Sequence, residues 1–203
     1  MHLKMLLNSN GTNMRVGNPS YIEIYDNALN KKECEILINQ FEKSEQTVGL
    51  TSLGYLPEFK KCLQLDEPRF SDNSLISTIL HPILIKYLDK YSQQYSNLWK
   101  YMMPCKYYDS YSFQKYETED DGFKEWHTEH SPDEEGARRI LAWMFYLNNA
   151  KSGTEFVQYP TVRAKMGRCV IWPSAWTHVH RGVTPNKGLK YVITGWVSFK
   201  VGG

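Results

Sequence analysis

Apolar residues in the first half of the chain recur at the spacing of amphipathic helices. The clearest example follows Asn30, which is a candidate N-cap, with Glu33 three places later completing a variant of the capping box. An i, i+3, i+4, i+7 apolar stripe then runs through Cys34, Leu37, Ile38 and Phe41. This pattern predicts a helix whose apolar face packs on a core.

Further local patterns flank this helix. A short strand is predicted over 20–28, whereas residues 47–70 show no clear period and are predicted to be loop. A short helix is predicted over 74–80, and Pro82 suits the first turn of another helix. The apolar face of that second helix is formed by Leu84, Leu88, Tyr91 and Tyr95.

From Met103 onward the pattern changes to short runs rich in aromatic and β-branched residues, which Gly, Asn, Asp and Pro separate. The predicted strands are Ser110–Tyr116, Gly122–Glu129, Ile140–Leu147, Thr154–Gln158, Cys169–Trp172, Val179–Arg181 and Lys190–Phe199. Short strands at this spacing predict a sandwich or jelly roll around a cavity, with the earlier helices covering one sheet. We therefore expect one α+β domain over 1–203, with a helical support layer over 20–105 and a jelly-roll core over 106–200.

The composition narrows the class of protein. A net charge of +2 is too small to indicate a nucleic-acid or membrane surface, so neither partner is expected. The apolar run near Met1 is too short for a signal peptide, and no later run reaches transmembrane length. Four cysteines without a C-x-x-C pair are expected to be reduced thiols. These features predict a cytoplasmic enzyme or binding protein.

The strongest candidate for chemistry is the triplet His127-Thr128-Glu129. On a strand, residues i and i+2 project from the same face, so His127 and Glu129 would aim an imidazole and a carboxylate into one cavity. One further histidine would complete the two-histidine, one-carboxylate set that non-haem Fe(II) oxygenases use. The triplet alone is a weak signal, because chance produces it in many proteins.

The motifs around the His127-Thr128-Glu129 triplet strengthen the prediction of a metal site. From Phe113 to Phe199 the chain resembles the prolyl 4-hydroxylase-like branch of the Fe(II)/2-oxoglutarate-dependent dioxygenases. The matching pieces, in order, are Gln114-Lys115-Tyr116, Trp126-His127-Thr128-Glu129, Arg139 with Tyr146-Leu147-Asn148, Gly153-Thr154-Glu155-Phe156, Lys165-Met166-Gly167-Arg168, the run from Trp172 to Gly182, and Lys190 to Trp196. The resemblance implies a double-stranded β-helix, which is the jelly roll predicted above, with helices packed on one of its sheets.

The resemblance also implies the metal ligands, His127, Glu129 and His180. We prefer His180 to His178 because the family's second histidine lies ten residues before a basic 2-oxoglutarate anchor, which is the spacing from His180 to Lys190. His178 is the competing candidate. Glu129 departs from the aspartate more usual in the family, and its extra methylene changes the reach of the carboxylate while keeping its charge.

The same comparison implies a co-substrate pocket. Lys190 resembles the residue that pairs with the distal carboxylate of 2-oxoglutarate, and a buried carboxylate needs such a charge. Thr194, four residues later, would share its face of the strand and add a hydroxyl. Tyr116 and Tyr146 resemble tyrosines that line this pocket.

The implied activity is a dioxygenase that uses Fe(II), 2-oxoglutarate and O2, with ascorbate as a candidate addition, and hydroxylates a C–H bond while releasing succinate and CO2. The default substrate is a peptidyl proline in a peptide or protein, and a small amino-acid-like molecule is the other candidate. Two rival interpretations stay open. One is a cupin-like metalloenzyme without 2-oxoglutarate that adds His178 to the three ligands, and the other is a non-catalytic binding module on the same fold.

Overall fold

The computed structural model describes residues 20–51, 53–67, 74–100, 107–185 and 188–199, together with two short strands near the start of the chain. Its helices are α1 (Lys31–Lys43), α2 (Leu75–Gln94) and the single turn α3 (Ser96–Trp99). Two short 3-10 helices lie at Gly136–Arg138 and Trp176–His178.

The first helix begins where its capping sequence predicts. The Glu33 backbone N–H donates to the Asn30 side chain at 3.0 Å, and the Asn30 N–H donates to the Glu33 carboxylate at 2.7 Å. This reciprocal capping box satisfies two backbone donors that the first helical turn leaves unpaired. Cys34, Leu37 and Phe41 are buried on the apolar face, which confirms the predicted stripe.

The prediction of two helices on either side of Pro82 is wrong, because α2 is continuous and contains Pro82. Proline inside a helix removes one backbone hydrogen bond and costs on the order of 3 kcal/mol. Leu80 before it and Leu84 after it are both fully buried in the same core. Packing of this shared face offsets the local cost, so the helix runs through the proline.

Fourteen strands accompany the helices in the described part of the chain. In order they are β1 (Leu6–Leu7), β2 (Asn13–Met14), β3 (Glu23–Tyr25), β4 (Thr47–Val48), β5 (Lys60–Lys61), β6 (Leu63–Glu67), β7 (Tyr107–Tyr116), β8 (Gly122–Phe123), β9 (Arg139–Tyr146), β10 (Gly153–Phe156), β11 (Val162–Arg163), β12 (Arg168–Pro173), β13 (His180–Val183) and β14 (Lys190–Ser198). The larger sheet has seven strands in the order β3-β12-β9-β14-β7-β6-β4, and a smaller sheet has the order β11-β10-β13. β1 pairs with β2, and β5 pairs with β8.

Two predictions about strands are corrected, and one strand of the smaller sheet has no counterpart among the predicted strands. Residues 47–70 are not all loop, because β4, β5 and β6 form there and β6 pairs with β7. The predicted strand over Gly122–Glu129 is regular only at Gly122–Phe123. β11 was not predicted, since a two-residue strand has too little sequence to show alternation.

The two faces of the larger sheet differ. One face packs against α1 and α2 through a large apolar cluster that includes Phe113, Trp143 and Ile193. The other face borders a cavity of about 520 Å³, which residues of the smaller sheet, such as Thr154 and His180, also line. The predicted α+β architecture, a β core with helices packed on one sheet, is confirmed.

Within the described ranges, no helix combines the length and apolar character needed to cross a membrane. Cys34, Cys62 and Cys169 are buried free thiols there.

Candidate metal centre

The predicted histidines are joined by a single antiparallel bridge between two chain segments. The His127 N–H donates to the His180 carbonyl and the His180 N–H donates to the His127 carbonyl, both at 2.9 Å. His180 opens β13, whereas His127 lies four residues beyond β8 in an otherwise irregular segment. The pairing therefore comes from this one bridge rather than from the regular strand that the sequence predicts.

Each imidazole is oriented by a backbone carbonyl. His127 Nδ1 lies 2.9 Å from the Glu125 carbonyl oxygen, and His180 Nδ1 lies 2.8 Å from that of His178. A carbonyl oxygen only accepts, so Nδ1 carries the proton in both rings and Nε2 carries the lone pair. This is the second contact that metal-binding histidines ordinarily make.

The histidine lone pairs lie close to the carboxylate of Glu129. One ligand atom from each of His127, Glu129 and His180 lies within 4.8 Å of the other two. His180 Nε2 and Glu129 Oε1 are 3.2 Å apart. Two lone-pair atoms at this distance need a cation between them, either a proton or a metal ion, so the donor set fits a divalent metal.

Glu129 is held by a tryptophan as well. The Trp196 indole N–H donates to Glu129 Oε2 at 2.6 Å, while Oε1 faces His180. Burial by itself would raise the pKa of Glu129, but the contacts with His180, His127 and Trp196 lower it to about 2. The group is therefore a carboxylate at neutral pH, with one oxygen held away from the histidines. This arrangement accommodates the longer glutamate side chain.

His127 is kept neutral by its surroundings. Its ring stacks on Phe123 with 3.7 Å between centroids, and burial lowers its pKa to about 4, with a further contribution from His180. A neutral imidazole is the form that binds a metal ion. No proton has to be displaced from His127 at neutral pH.

The other two nearby histidines lie outside this cluster. His178 Nε2 contacts the Ser20 carbonyl at 2.7 Å and Nδ1 contacts the Thr177 hydroxyl at 2.9 Å, so both nitrogens are engaged elsewhere. His130 is exposed, and its Nε2 contacts the Arg139 carbonyl at 2.6 Å. The structure thus brings His180, and not His178, to Glu129, which removes the basis for a four-ligand centre.

Lys190 lines the same cavity as the His-Glu-His cluster and is only 3% exposed. Its Nζ donates to the Val183 carbonyl at 3.3 Å and lies 4.2 Å from the centre of the Tyr116 ring. Across the described ranges it has no ion-pair partner, and burial lowers its pKa to about 8. A buried ammonium group without a counter-ion fits a site for an anionic ligand.

Of the other predicted pocket residues, Thr194 and Tyr116 line the cavity and Tyr146 lies behind it. Thr194 lines the cavity and donates to the Trp143 carbonyl at 2.8 Å, and Tyr116 lines it and donates to Gln114 at 2.6 Å. Tyr146 is fully buried and contacts the hydroxyl of Thr154, which faces the cavity, at 2.6 Å. Burial raises the pKa of Tyr116 and raises that of Tyr146 to about 12, so both phenols are protonated.

Sequence reasoning missed two features of the site. Trp196 ends the motif from Lys190 to Trp196, but nothing in that motif indicates its hydrogen bond to Glu129. Lys60 and Gln64 line the cavity although their segment was predicted to be loop. A short alternation of Leu63 and Leu65 with polar residues was the available signal for β6.

The two-sheet fold and the cluster of two histidines and one carboxylate define a non-haem iron type of site. Residues 111–198, which include all seven predicted site residues, match the family described as the 2OG-Fe(II) oxygenase superfamily. The match covers less than half of the 203 residues and contains the whole candidate metal centre. It indicates an enzyme that uses Fe(II) and 2-oxoglutarate.

Solved structures of prolyl hydroxylases are similar to the chain over nearly its whole length. A viral collagen prolyl hydroxylase from Paramecium Bursaria Chlorella virus-1, in complex with 2OG, is 14% identical, with 92% of this chain and 99% of that chain covered and a TM-score of 0.67. A Trichoplax adhaerens prolyl hydroxylase bound to a hypoxia inducible factor peptide is also 14% identical, with 90% and 85% covered and a TM-score of 0.67.

A prolyl-4-hydroxylase from Pseudomonas putida is 12% identical, with 90% of this chain and 94% of that chain covered and a TM-score of 0.67. At these identities the structures establish the shared fold, which includes the double-stranded β-helix. No curated protein matches the chain.

Proposed function

We propose that the protein hydroxylates a proline residue in a peptide or protein, coupled to conversion of 2-oxoglutarate and O2 into succinate and CO2. The observation that carries the proposal is the single cavity that contains both the His-Glu-His cluster and the unpaired ammonium group of Lys190. Support for proline as the target comes from the prolyl hydroxylases that share the fold along nearly the whole chain.

In this proposal His127, Glu129 and His180 would hold Fe(II). The bound iron would supply the oxidising chemistry, with 2-oxoglutarate and O2 as co-substrates. The two Nδ1 contacts to carbonyls fix both rings, and Trp196 fixes Glu129. The donor atoms are thereby positioned before the metal binds, which lowers the cost of assembling the site.

The distal carboxylate of 2-oxoglutarate is assigned to Lys190, with Thr194 and Tyr116 beside it. An ion pair there would neutralise a buried charge whose described contacts include the Val183 carbonyl and the Tyr116 ring but no carboxylate. Tyr146 would support this wall through Thr154. Burial of these groups also keeps water away from the reacting centre, which limits unproductive oxidation.

The test is turnover with a proline-containing peptide library, Fe(II), 2-oxoglutarate, O2 and ascorbate. We expect succinate formation that depends on peptide and a hydroxyl group on proline in the product, detected by mass spectrometry. Peptide-independent succinate, or hydroxylation of free amino acids alone, would remove the peptidyl-proline assignment. Omission of ascorbate tests whether it is needed.

The same experiment separates the rival interpretations. A non-catalytic binding module yields no succinate with any substrate, and a cupin-like metalloenzyme turns over without 2-oxoglutarate. The bonds of His178 to Ser20 and Thr177 favour the three-ligand oxygenase over a four-ligand centre.

A further inference from the structure

The cavity contains a second buried lysine that the proposed reaction does not use. Lys60, on β5, is 7% exposed and lines the cavity. Its Nζ donates to the Leu50 carbonyl at 3.0 Å and to Gln64 Oε1 at 2.8 Å. Both acceptors are neutral, and no ion pair of Lys60 occurs among the described residues. An ammonium group has three donors, so one hydrogen-bonding position and the full charge are left without a partner.

Lys60 is close to the candidate metal centre. Its strand pairs with β8, where Phe123 is directly opposite. The Lys60 Nζ lies 5.9 Å from the centre of the Phe123 ring, and the other partner of that ring is the imidazole of His127. The charge of Lys60 is near enough to His127 to contribute, after burial and His180, to the lowered pKa of His127. A group bound at Lys60 would therefore lie in the cavity that also contains the candidate metal centre.

The polar contacts around Lys60 form a short chain rather than a neutralising pair. Gln64 accepts from Lys60 through Oε1 and donates through Nε2 to Asp66 at 2.5 Å. The amide keeps the ammonium group and the Asp66 carboxylate apart. Gln64 is buried, whereas Asp66 is exposed. The hydrogen-bonded series therefore has its positive charge, Lys60, in the interior and its negative charge, Asp66, at the solvent side.

The rest of the cavity shows the same distribution of charge. Within the described ranges, three carboxylates other than Glu129 line it, and all are exposed: Asp66, Asp133 and Glu135. Asp133 is engaged with Ser131 and with the backbone N–H of Gly136. Among the described residues that line the cavity, the buried cations are Lys190, which is assigned to 2-oxoglutarate, and Lys60. A buried charge is costly unless a ligand or partner compensates it, and the described residues supply no anion to Lys60.

We propose that Lys60 binds a carboxylate of the substrate, so that the enzyme prefers prolyl substrates with a carboxylate on or beside the target proline. This inference deepens the proposed function and rests on it. The carboxylate is either the α-carboxylate of a terminal proline or the side chain of a neighbouring acidic residue. Both sources offer carboxylate oxygen atoms that can accept the third hydrogen bond of the Lys60 ammonium group.

Two matched pairs of probes test the proposal. N-acetyl-proline against N-acetyl-prolinamide tests the α-carboxylate, and N-acetyl-Pro-Asp-amide against N-acetyl-Pro-Asn-amide tests the side chain. Binding is measured by calorimetry with Fe(II) and 2-oxoglutarate present and O2 excluded, so that Lys190 is already occupied. We expect the acidic member of one pair to bind about tenfold or more tightly, and the pair that discriminates identifies the source.

Variants assign the preference to Lys60. Lys60→Gln and Lys60→Met should abolish it, Lys60→Arg should keep part of it, and none of them should change the affinity for 2-oxoglutarate. Lys61→Gln is the matched control, because the neighbouring lysine is 44% exposed and pairs with Asp121. This control should bind both pairs as the wild type does. Unfolding temperature and Fe(II) content show which variants fold. The comparison of acidic and neutral probes on the wild-type protein does not depend on any variant.

The outcomes separate this proposal from the proposed function. Equal binding within both pairs, binding of no probe, or a preference that survives Lys60→Met overturns the role of Lys60. Weakened 2-oxoglutarate binding in Lys60→Gln also overturns it, because Lys60 would then serve the co-substrate. When O2 is admitted, equal hydroxylation within a pair keeps prolyl hydroxylation and discards the carboxylate site. Selective binding without hydroxyproline keeps the site and discards prolyl hydroxylation.

Discussion

The two faces of the large sheet each bury a lysine, but the two lysines differ in whether a carboxylate pairs with them. β7 and β14 pair so that Tyr191 lies opposite Lys115 and Lys190 lies opposite Tyr116. On the helix side, Lys115 pairs with Glu42 at 2.9 Å and with Glu117 at 2.8 Å. On the cavity side, Lys190 has no carboxylate partner within the described part of the chain.

Under the proposed function, the ion pairs of Lys115 stabilise the fold, whereas Lys190 remains available for an anionic ligand. Burial would lower the pKa of Lys115, but hydrogen bonds to Glu117 and Glu42 raise it, whereas burial lowers the pKa of Lys190 to about 8. A paired buried charge belongs to the folded structure, while an unpaired one costs stability and is compensated when a ligand binds. Lys115 and Lys190 are both buried, so burial does not distinguish them. They differ in whether a carboxylate pairs with the ammonium group.

The largest expected effect is loss of the carboxylate at the metal centre. Glu129→Ala should lower iron-dependent turnover at least about a hundredfold, since loss of groups that merely support metal ligands already costs 10–100-fold. Glu129→Asp should retain part of the activity because the charge remains. Turnover and Fe(II) content are measured together, with Glu155→Gln, on the smaller sheet, as the control. Full turnover in Glu129→Ala would remove Glu129 from the ligand set.

The next effect concerns the unpaired lysine. Lys190→Met should raise the KM for 2-oxoglutarate about 10–100-fold, the range for a hydrogen bond between charged groups. The unfolding temperature without 2-oxoglutarate should stay constant or rise, because a buried unpaired charge is removed. An unchanged KM would show that another group binds the distal carboxylate.

Lys115→Met should lower the stability of the fold and leave the KM for 2-oxoglutarate unchanged. Removing this lysine leaves Glu42 and Glu117 without their cation, at a cost of about 1–2 kcal/mol because both carboxylates are partly exposed. The KM for 2-oxoglutarate should not change. Denaturant unfolding and steady-state kinetics on both lysine variants test the comparison directly, and a rise in KM in Lys115→Met would break it.

The lowered pKa of Lys190 predicts a pH dependence. As the pH rises above about 8, Lys190 loses its proton in the free enzyme, and the KM for 2-oxoglutarate should rise about tenfold per unit. Without 2-oxoglutarate, the cost of charging Lys190 in the folded state is full below pH 8 and disappears towards the ordinary lysine pKa of about 10.4. Lys190→Arg should flatten the KM profile. A flat wild-type profile to pH 9.5 would contradict the assignment.

The smallest effect is expected at Thr194. Its hydroxyl donates to the Trp143 carbonyl and would have to turn towards the cavity to donate to 2-oxoglutarate, so Thr194→Val removes at most one neutral hydrogen bond to the co-substrate. The KM for 2-oxoglutarate should rise about two- to tenfold. Thr194→Ser keeps the hydroxyl group and should resemble the wild type. A larger loss than in Lys190→Met would reverse the assigned roles.

Local sequence was sufficient wherever neighbouring residues decide the structure. The capping box at Asn30 and Glu33 sets the start of α1, and its apolar stripe packs as predicted. The same reasoning failed at Pro82, because burial of Leu80 and Leu84 in one core outweighs the local preference for a break. It failed also at β6, whose partner β7 is distant in the chain.

For the site, the sequence determined which residue types are present and their order: His127, Glu129, His180 and Lys190 at family-like spacing. Tertiary structure decided what each one contacts. It bridged His127 to His180, directed His178 to Ser20, and placed Trp196 on Glu129. It also buried Lys60, on the two-residue strand β5, without a counter-ion among the described residues. Spacing along the chain encodes a motif, whereas desolvation and charge pairing depend on segments that meet only after folding.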